Sequence, residues 1–141
     1  MIKWFWNYFS VNCTEGNVKI DADNIPYLFY GGKWSPICGH HFWDNDYGAK
    51  AFCNKLGYNY GIVSRGGHGH YDQDAIEVGK CKAGEDINSC TAANNFYTNT
   101  GWCKKGTENN GKGVKIMISC EGHSKGTKKT SCSGNTDNQR I

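Results

Sequence analysis

Eight cysteines are the residues of this 141-residue chain with the clearest chemical potential. An even number of cysteines in a short, glycine-rich sequence favours four disulfide bonds and an oxidising compartment. The alternative is zinc bound by thiolates. No CxxC pair occurs, however, and the closest neighbours, Cys81 and Cys90, are nine positions apart, whereas zinc fingers and ribbons use much shorter ligand pairs. The cysteines therefore predict a secreted, disulfide-bonded protein.

The histidines form two clusters, His40-His41 and His68-x-His70, and Asp72 and Asp74 follow the second cluster. Imidazoles together with carboxylates can bind Zn²⁺ or Cu²⁺. On an extended segment, His68 and His70 would point to the same side, as chelation requires. They are therefore the candidate transition-metal ligands, and the alternative is that they are ordinary surface histidines in a glycine-rich loop.

Motifs for catalysis, membrane insertion and nucleic-acid binding are missing from the sequence. It contains neither G-x-S-x-G nor H-E-x-x-H, so we expect no enzyme, and a metal-dependent secreted enzyme is the least favoured alternative. No apolar run approaches the ~18 residues of a membrane span. A net charge of +3 is too mild to indicate a nucleic-acid partner. The Asn12-Cys13-Thr14 sequon makes Asn12 a candidate glycosylation site.

Both ends of the chain have unusual compositions. Five large aromatic residues near the N-terminus would form an apolar patch, which predicts a docking element that folds back or contacts another subunit; they are Trp4, Phe5, Trp6, Tyr8 and Phe9. No signal-peptide pattern is visible, so either a signal has been removed or the chain is a fragment. The C-terminal lysines and Arg140 could contact acidic glycans, and a solvated tail is the alternative; the lysines are Lys125, Lys128 and Lys129.

A helix and several strands must position these residues. The segment DNDYGAKAFCNKLGY predicts the main helix, with Asp44 as N-cap, Asp46 in the first turn and Gly57 just past the end. Its apolar stripe comprises Ala49, Phe52, Cys53 and Leu56. Residues 16–20 predict a first strand, with Val18 and Ile20 on one face. IPYLFY and GGKWSPIC predict a strand, a glycine turn and a second strand, which Pro36 places at an edge or a bulge.

The second half of the chain has little periodicity until VKIMISC. Residues 59–112 are therefore expected to form long ordered loops. In VKIMISC, two faces alternate strictly, which predicts a last strand; one face carries Val114, Ile116, Ile118 and Cys120, and the other carries Lys115, Met117 and Ser119. Because Cys53 and Cys120 both lie on apolar faces, a bridge between this helix and this strand is geometrically natural.

The run WSPICGHHFWDNDYGAKAFCNKLGY, residues 34–58, resembles the signature of scavenger receptor cysteine-rich (SRCR) domains, and the resemblance continues through VGKCKAGEDINSC and WCKKGTENNGKGVKIMISC. It covers about residues 16–122. It implies an α+β fold in which a small curved antiparallel β-sheet cradles one main helix, about 44–56, among many loops. Residues 1–15 and 123–141 would be extensions, the latter pinned by Cys132.

The resemblance also implies a cysteine pairing and a cation site. The pairs would be Cys38–Cys103, Cys53–Cys120 and Cys81–Cys90, while Cys13 and Cys132 remain as a pair that would tie the extensions together. Family members often bind Ca²⁺ through acids after the first core cysteine, where this chain has Gly39 and His40. The matching acids are Asp44, Asp46 and Glu108. No cofactor is required. The favoured alternative is that Asp44 caps the helix while the charge of Asp46 interacts favourably with the helix dipole.

The expected function is that of a secreted, extracellular, non-enzymatic recognition domain for a protein or polyanionic ligand. The alternative is a structural subunit of an extracellular assembly or filament that self-associates through its aromatic N-terminus.

Overall fold

The structure of the protein is a computed structural model that describes residues 13–66, 68–94, 103, 114–123 and 129–132. Within these ranges, five strands, two α-helices and one 3₁₀ turn follow one another: β1 (Val18–Ile20), β2 (Pro26–Tyr30), β3 (Lys33–Pro36), the 3₁₀ turn (Phe42–Asp44), α1 (Tyr47–Lys55), β4 (Tyr58–Ser64), α2 (Ile87–Asn94) and β5 (Met117–His123). Together with four disulfides, they form a loop-rich α+β fold.

The first three strands form an antiparallel sheet in the order β1-β2-β3. Gly31 and Gly32 connect β2 to β3 with φ values of 66° and 80°, a two-residue turn that residues with a Cβ adopt only under strain. Pro36 lies at the end of β3, an edge strand, where its missing N–H costs no bond within the sheet. The predicted strand–glycine turn–strand unit is therefore confirmed.

The edge of β1 that does not pair with β2 is covered by residues 129–132, a short segment from the C-terminal part of the chain. The amide of Ile20 donates to the carbonyl of Lys129 at 2.9 Å, and the amide of Ser131 donates to the carbonyl of Val18 at 2.8 Å. The Cys13–Cys132 disulfide closes this pairing. We call residues 129–132 and their contacts to β1 the terminal clasp.

The main helix is shorter than predicted. It begins at Tyr47 rather than near Asp44, because residues 42–44 form a separate 3₁₀ turn. Asp46 occupies the N-cap position, but its carboxylate accepts from the amide of Val63 at 2.9 Å instead of capping the helix. The C-terminal prediction is confirmed: Gly57 has a φ of 92° and its amide donates to the carbonyl of Asn54.

The expected single sheet is two sheets, and the expected loop region contains regular structure. β4 pairs antiparallel with β5 in a second, two-stranded sheet, and α2 lies further along the same region. Within residues 59–112, these elements correct the prediction of loops alone. The alternation of apolar and polar residues that identifies a half-buried strand is weak in β4. Tyr60 and Ile62 place apolar side chains on its solvent-exposed face, so apolar residues occur on both faces.

A single main core lies between the two sheets and α1. The predicted helix stripe is buried as expected, and all four of its members are completely inaccessible: Ala49, Phe52, Cys53 and Leu56. Val18 and Leu28 contribute from the first sheet, while Val63 and Ile118 contribute from the second. None of the helices in the described ranges has the length and apolar character needed to cross a lipid bilayer.

Candidate functional site

Four disulfides, three of which join distant parts of the chain, define the scaffold of any site. Three of them, Cys38–Cys103, Cys53–Cys120 and Cys81–Cys90, are the pairs that the resemblance implies, and the fourth, Cys13–Cys132, joins the two cysteines that remained. Cys53–Cys120 connects α1 to β5, and Cys38–Cys103 anchors the segment that precedes the 3₁₀ turn. Surface side chains near these bonds are therefore held on a rigid frame.

One face of the second sheet carries large apolar side chains in contact with solvent. Tyr60 is 60% exposed and Ile62 is 46% exposed, while Gly61 and Val63 between and beyond them are buried. The antiparallel register places Glu121 opposite Tyr60, Ser119 opposite Ile62 and Met117 opposite Ser64. We call these six residues the outer face: Tyr60, Ile62, Ser64, Met117, Ser119 and Glu121.

The backbone beneath the outer face is clamped to α1. A Cβ at Gly61 would collide with the carbonyl oxygen of Ala49 and would lie 2.8 Å from the sulfur of Cys53. Gly61 is also the register partner of Cys120, whose sulfur is bonded to Cys53. This close approach requires glycine, and it fixes the strand between Tyr60 and Ile62.

A groove of about 390 Å³ runs along β5 beside the outer face. Its lining includes Asn24 together with Ile62, Met117, Ser119 and Glu121 of the outer face. The amide of Ile118 donates to the carbonyl of Asn24 at 3.1 Å, which holds Asn24 against β5. Within the described ranges, the Glu121 carboxylate forms no ion pair.

A cluster of polar residues surrounds the 3₁₀ turn, and its two histidines, His40 and His41, each contact a carboxylate. His40 Nδ1 lies 3.4 Å from Glu77 Oε2, and both side chains are largely buried. His41 Nδ1 lies 3.1 Å from Asp44 Oδ2, and the His41 side chain is 57% exposed. The two imidazole rings contact one another, with 4.3 Å between their centroids. Asp44 therefore pairs with His41 rather than capping α1.

The backbone around this cluster is fixed by close packing. The amide of Cys38 donates to the carbonyl of Ile76, and the amide of Gly39 donates to that of Val114, both at 2.9 Å. A Cβ at Gly39 would lie 2.9 Å from the Trp43 ring, so glycine is required here as well. His41 adopts a φ of 63°, a left-handed conformation that is uncommon for a residue with a Cβ.

The structure pairs the two described acids of the expected cation site with basic side chains. Asp46 Oδ1 lies 3.2 Å from Arg65 Nη2, while Asp44 contacts His41. The third member, Glu108, lies outside the described residues. A guanidinium at this distance occupies a lone pair that Ca²⁺ would need and adds positive charge beside it. The Ca²⁺ site stays a prediction.

The other predicted metal ligands are not gathered into a cluster. Groups of three or more ligand atoms within 4.8 Å occur at two places in the described part of the chain, and neither includes His68 or His70. One group is His40, Glu77 and Cys103; the other is Cys81, Glu85 and Cys90. The sulfurs in both groups are disulfide-bonded and so are not thiolate ligands. His68 Nε2 lies 3.0 Å from the carbonyl oxygen of Ser64.

Several predicted sites lie outside the described residues. They are the glycosylation candidate Asn12, the aromatic residues Trp4, Phe5, Trp6, Tyr8 and Phe9, and the basic residues Lys125, Lys128 and Arg140. Lys129 is described and belongs to the terminal clasp.

Comparison with known proteins adds no relative. No family model, no curated protein and no solved structure matches the chain.

Two features of the site are not predicted by the sequence. The outer face was missed because β4 was expected to be a loop, although Tyr60 and Ile62 at alternate positions were a detectable signal. The carboxylates beside His40 and His41 were missed for different reasons. Asp44 was assigned to helix capping, and Glu77 lies 37 positions from His40 with nothing in the sequence to pair them.

Proposed function

We propose that the chain is an extracellular, non-enzymatic recognition domain of the SRCR type that binds a protein partner through the outer face. The observation that carries the proposal is the pair Tyr60 and Ile62, which remain 60% and 46% exposed on a rigid strand. Tyrosine is enriched at protein interfaces because its ring supplies a large contact area at a small entropic cost. The SRCR assignment is supported by the cysteine pairing and by the motif between residues 34 and 58.

The charge of the outer face favours a protein over a polyanionic glycan. Its only charged member is the carboxylate of Glu121, and it includes no lysine or arginine. A polyanion would be repelled by Glu121, whereas a protein segment with an apolar side chain and a neighbouring lysine or arginine would complement it. The groove beside β5 offers space for that apolar side chain.

Rigidity of the frame supports the same proposal. Gly61 packs against Ala49 directly under the outer face, and the Cys53–Cys120 disulfide lies beneath the same strand pair. A preorganised surface loses less conformational entropy on binding than a mobile loop does. The favourable contacts of a few exposed side chains then contribute to affinity instead of offsetting the entropic cost of ordering the surface.

The test compares partner binding by the native chain and by a variant with both Tyr60→Ser and Ile62→Ser. A panel of immobilised extracellular proteins should yield a binder whose affinity falls at least ~10-fold in the variant, as expected for interface hot spots. Tyr47→Ser is the matched control, since Tyr47 is 45% exposed but lies on α1.

Immobilised heparin serves as the polyanion probe and should not bind through the outer face. A panel without any binder, or a binder equally sensitive to the Tyr47 control, would contradict the proposal. Sedimentation of the native chain distinguishes the assembly alternative: an oligomer that the Tyr60/Ile62 variant dissociates would make a second copy the partner.

A further inference from the structure

We propose that His40 and His41 form a binding site for a divalent transition-metal ion, Cu²⁺ or Zn²⁺, which they bind through the Nε2 atoms of their imidazoles. Glu77 and Asp44 would act as hydrogen-bond acceptors behind the two rings. This site differs from the one expected at His68 and His70, and it uses nitrogen rather than oxygen ligands.

The carboxylates of Glu77 and Asp44 contact the Nδ1 atoms of the two histidines and leave the Nε2 atoms as the metal-binding side of each ring. An ionised carboxylate only accepts hydrogen bonds, so Glu77 and Asp44 require a proton on Nδ1 of the histidine that each contacts. In a neutral imidazole with a protonated Nδ1, the lone pair lies on Nε2. Metal-binding histidines almost always donate their second ring nitrogen to a carboxylate, carbonyl or water, which fixes the tautomer and orients the ring.

The two rings also lie close together. Their centroids are 4.3 Å apart and their planes are inclined by 41°. Two nitrogens bound to one ion at the usual ~2.0–2.1 Å lie about 3 Å apart. Two imidazoles in contact therefore come within the range in which side-chain rotation can bring both to one ion.

The backbone of His41 gives further support. Its φ of 63° is uncommon for a residue with a Cβ, although histidine, like asparagine and aspartate, adopts it more often than other side chains do. This left-handed turn places the His41 ring beside the His40 ring, next to the segment fixed by the amides of Cys38 and Gly39. Uncommon backbone conformations of this kind cluster at functional sites, where the surrounding structure maintains them.

The accessibility of the pair suits an ion that arrives from solvent. His40 is largely covered, with 18% of its side chain exposed, whereas His41 is 57% exposed. An ion on the two Nε2 atoms would keep coordination positions for water or for a ligand atom from a partner. Imidazole nitrogen selects Cu²⁺ and Zn²⁺, whereas Ca²⁺ prefers oxygen ligands, so Ca²⁺ should not compete.

The test titrates the untagged, disulfide-bonded chain with copper sulfate and zinc chloride by calorimetry. Electron paramagnetic resonance of the Cu²⁺ complex should show two coordinated imidazole nitrogens. His41→Asn removes one imidazole while keeping a side chain that tolerates a positive φ. It should lower Cu²⁺ affinity at least ~10-fold and leave one coordinated nitrogen, and His40→Gln should act likewise.

Glu77→Gln tests the supporting role. It keeps the size of the side chain but removes the charge behind His40, so the affinity should fall roughly 10-fold with both nitrogens still bound. The control combines His68→Ala and His70→Ala and should bind as the native chain does. Thermal unfolding of each variant without metal shows whether the fold is intact.

Three results would overturn the proposal. They are the absence of copper binding by the native chain, unchanged binding in both the His40 and His41 variants, and loss of binding in the His68/His70 control. Displacement of Cu²⁺ by excess calcium chloride would contradict the nitrogen ligand set.

Discussion

Tyr71 shows how a single residue joins two distant segments. Its hydroxyl donates to the carbonyl of Ile37 at 2.8 Å and accepts from the amide of Ile116 at 3.2 Å, so it connects the end of β3 to the approach of β5. Burial raises the pKa of Tyr71 well above its ordinary value of 10.0. The folded state therefore favours the neutral phenol, and its contribution to stability is present below about pH 10 and is lost as the pH rises further.

Replacing Tyr71 with phenylalanine should lower the free energy of unfolding by about 1–3 kcal/mol near neutral pH, because the buried amide of Ile116 loses its acceptor. The variant should also lose less stability than the native chain when the pH is raised from about 8 to about 11. Urea unfolding at both pH values measures both effects. Some alkaline loss should persist, since partial burial and the nearby Asp21 also raise the pKa of Tyr27. Equal alkaline losses in the two proteins would exclude Tyr71 as their source.

At the scale of elements, the Cys53–Cys120 bond between α1 and β5 should contribute more stability than the local Cys81–Cys90 bond. The first joins positions 67 residues apart and the second joins positions 9 apart. In the chain-entropy model, a longer loop restricts the unfolded chain more, by about 4 kcal/mol compared with about 3 kcal/mol.

The corresponding prediction compares two double variants, Cys53→Ala/Cys120→Ala and Cys81→Ala/Cys90→Ala. The first should lose more free energy of unfolding, because it also removes the covalent link under the outer face. Urea unfolding under non-reducing conditions provides the comparison. If the Cys81/Cys90 variant were the less stable one, the prediction would be wrong. The helix α2 would then contribute more to the free energy of unfolding than its small contact with α1 indicates.

At the scale of the whole molecule, the terminal clasp closes the fold by pairing residues 129–132 with β1. The bond between Val18 and Ser131, for example, spans 113 positions of sequence. The hydroxyl of Ser131 also accepts from the amide of Val18 at 2.8 Å. The clasp therefore protects the edge of the first sheet, which would otherwise present unpaired backbone groups.

Removing the Cys13–Cys132 bond with a double alanine variant should raise the hydrogen-exchange rate of the Ile20 amide, which donates to Lys129. The Val63 amide is the internal control, because it donates to the Asp46 carboxylate and so joins β4 to the start of α1, away from β1. Its exchange rate should be unchanged. Equal acceleration at both amides would indicate global destabilisation instead of local opening of the clasp.

Local chemistry explains which parts of the fold could be predicted from the sequence. The glycine turn of the first hairpin, the end of α1 at Gly57 and the buried stripe of α1 each depend on residues close together in the chain. The start of α1 was predicted wrongly because Asp44 and Asp46, both plausible caps, find partners in His41, Val63 and Arg65. Those partners become neighbours only after folding.

The sequence by itself determined the class of molecule: a disulfide-bonded α+β domain whose cysteines, through their resemblance to a known family, indicate their own pairing. Only the tertiary structure decided where a site could lie. Residues 58–64 form the strand β4 by pairing with β5, and this pairing leaves Tyr60 and Ile62 exposed on the outer face. His40 and Glu77 meet across 37 positions of sequence. Local propensity acts over a few residues, whereas a site is assembled from segments that meet only when the core forms.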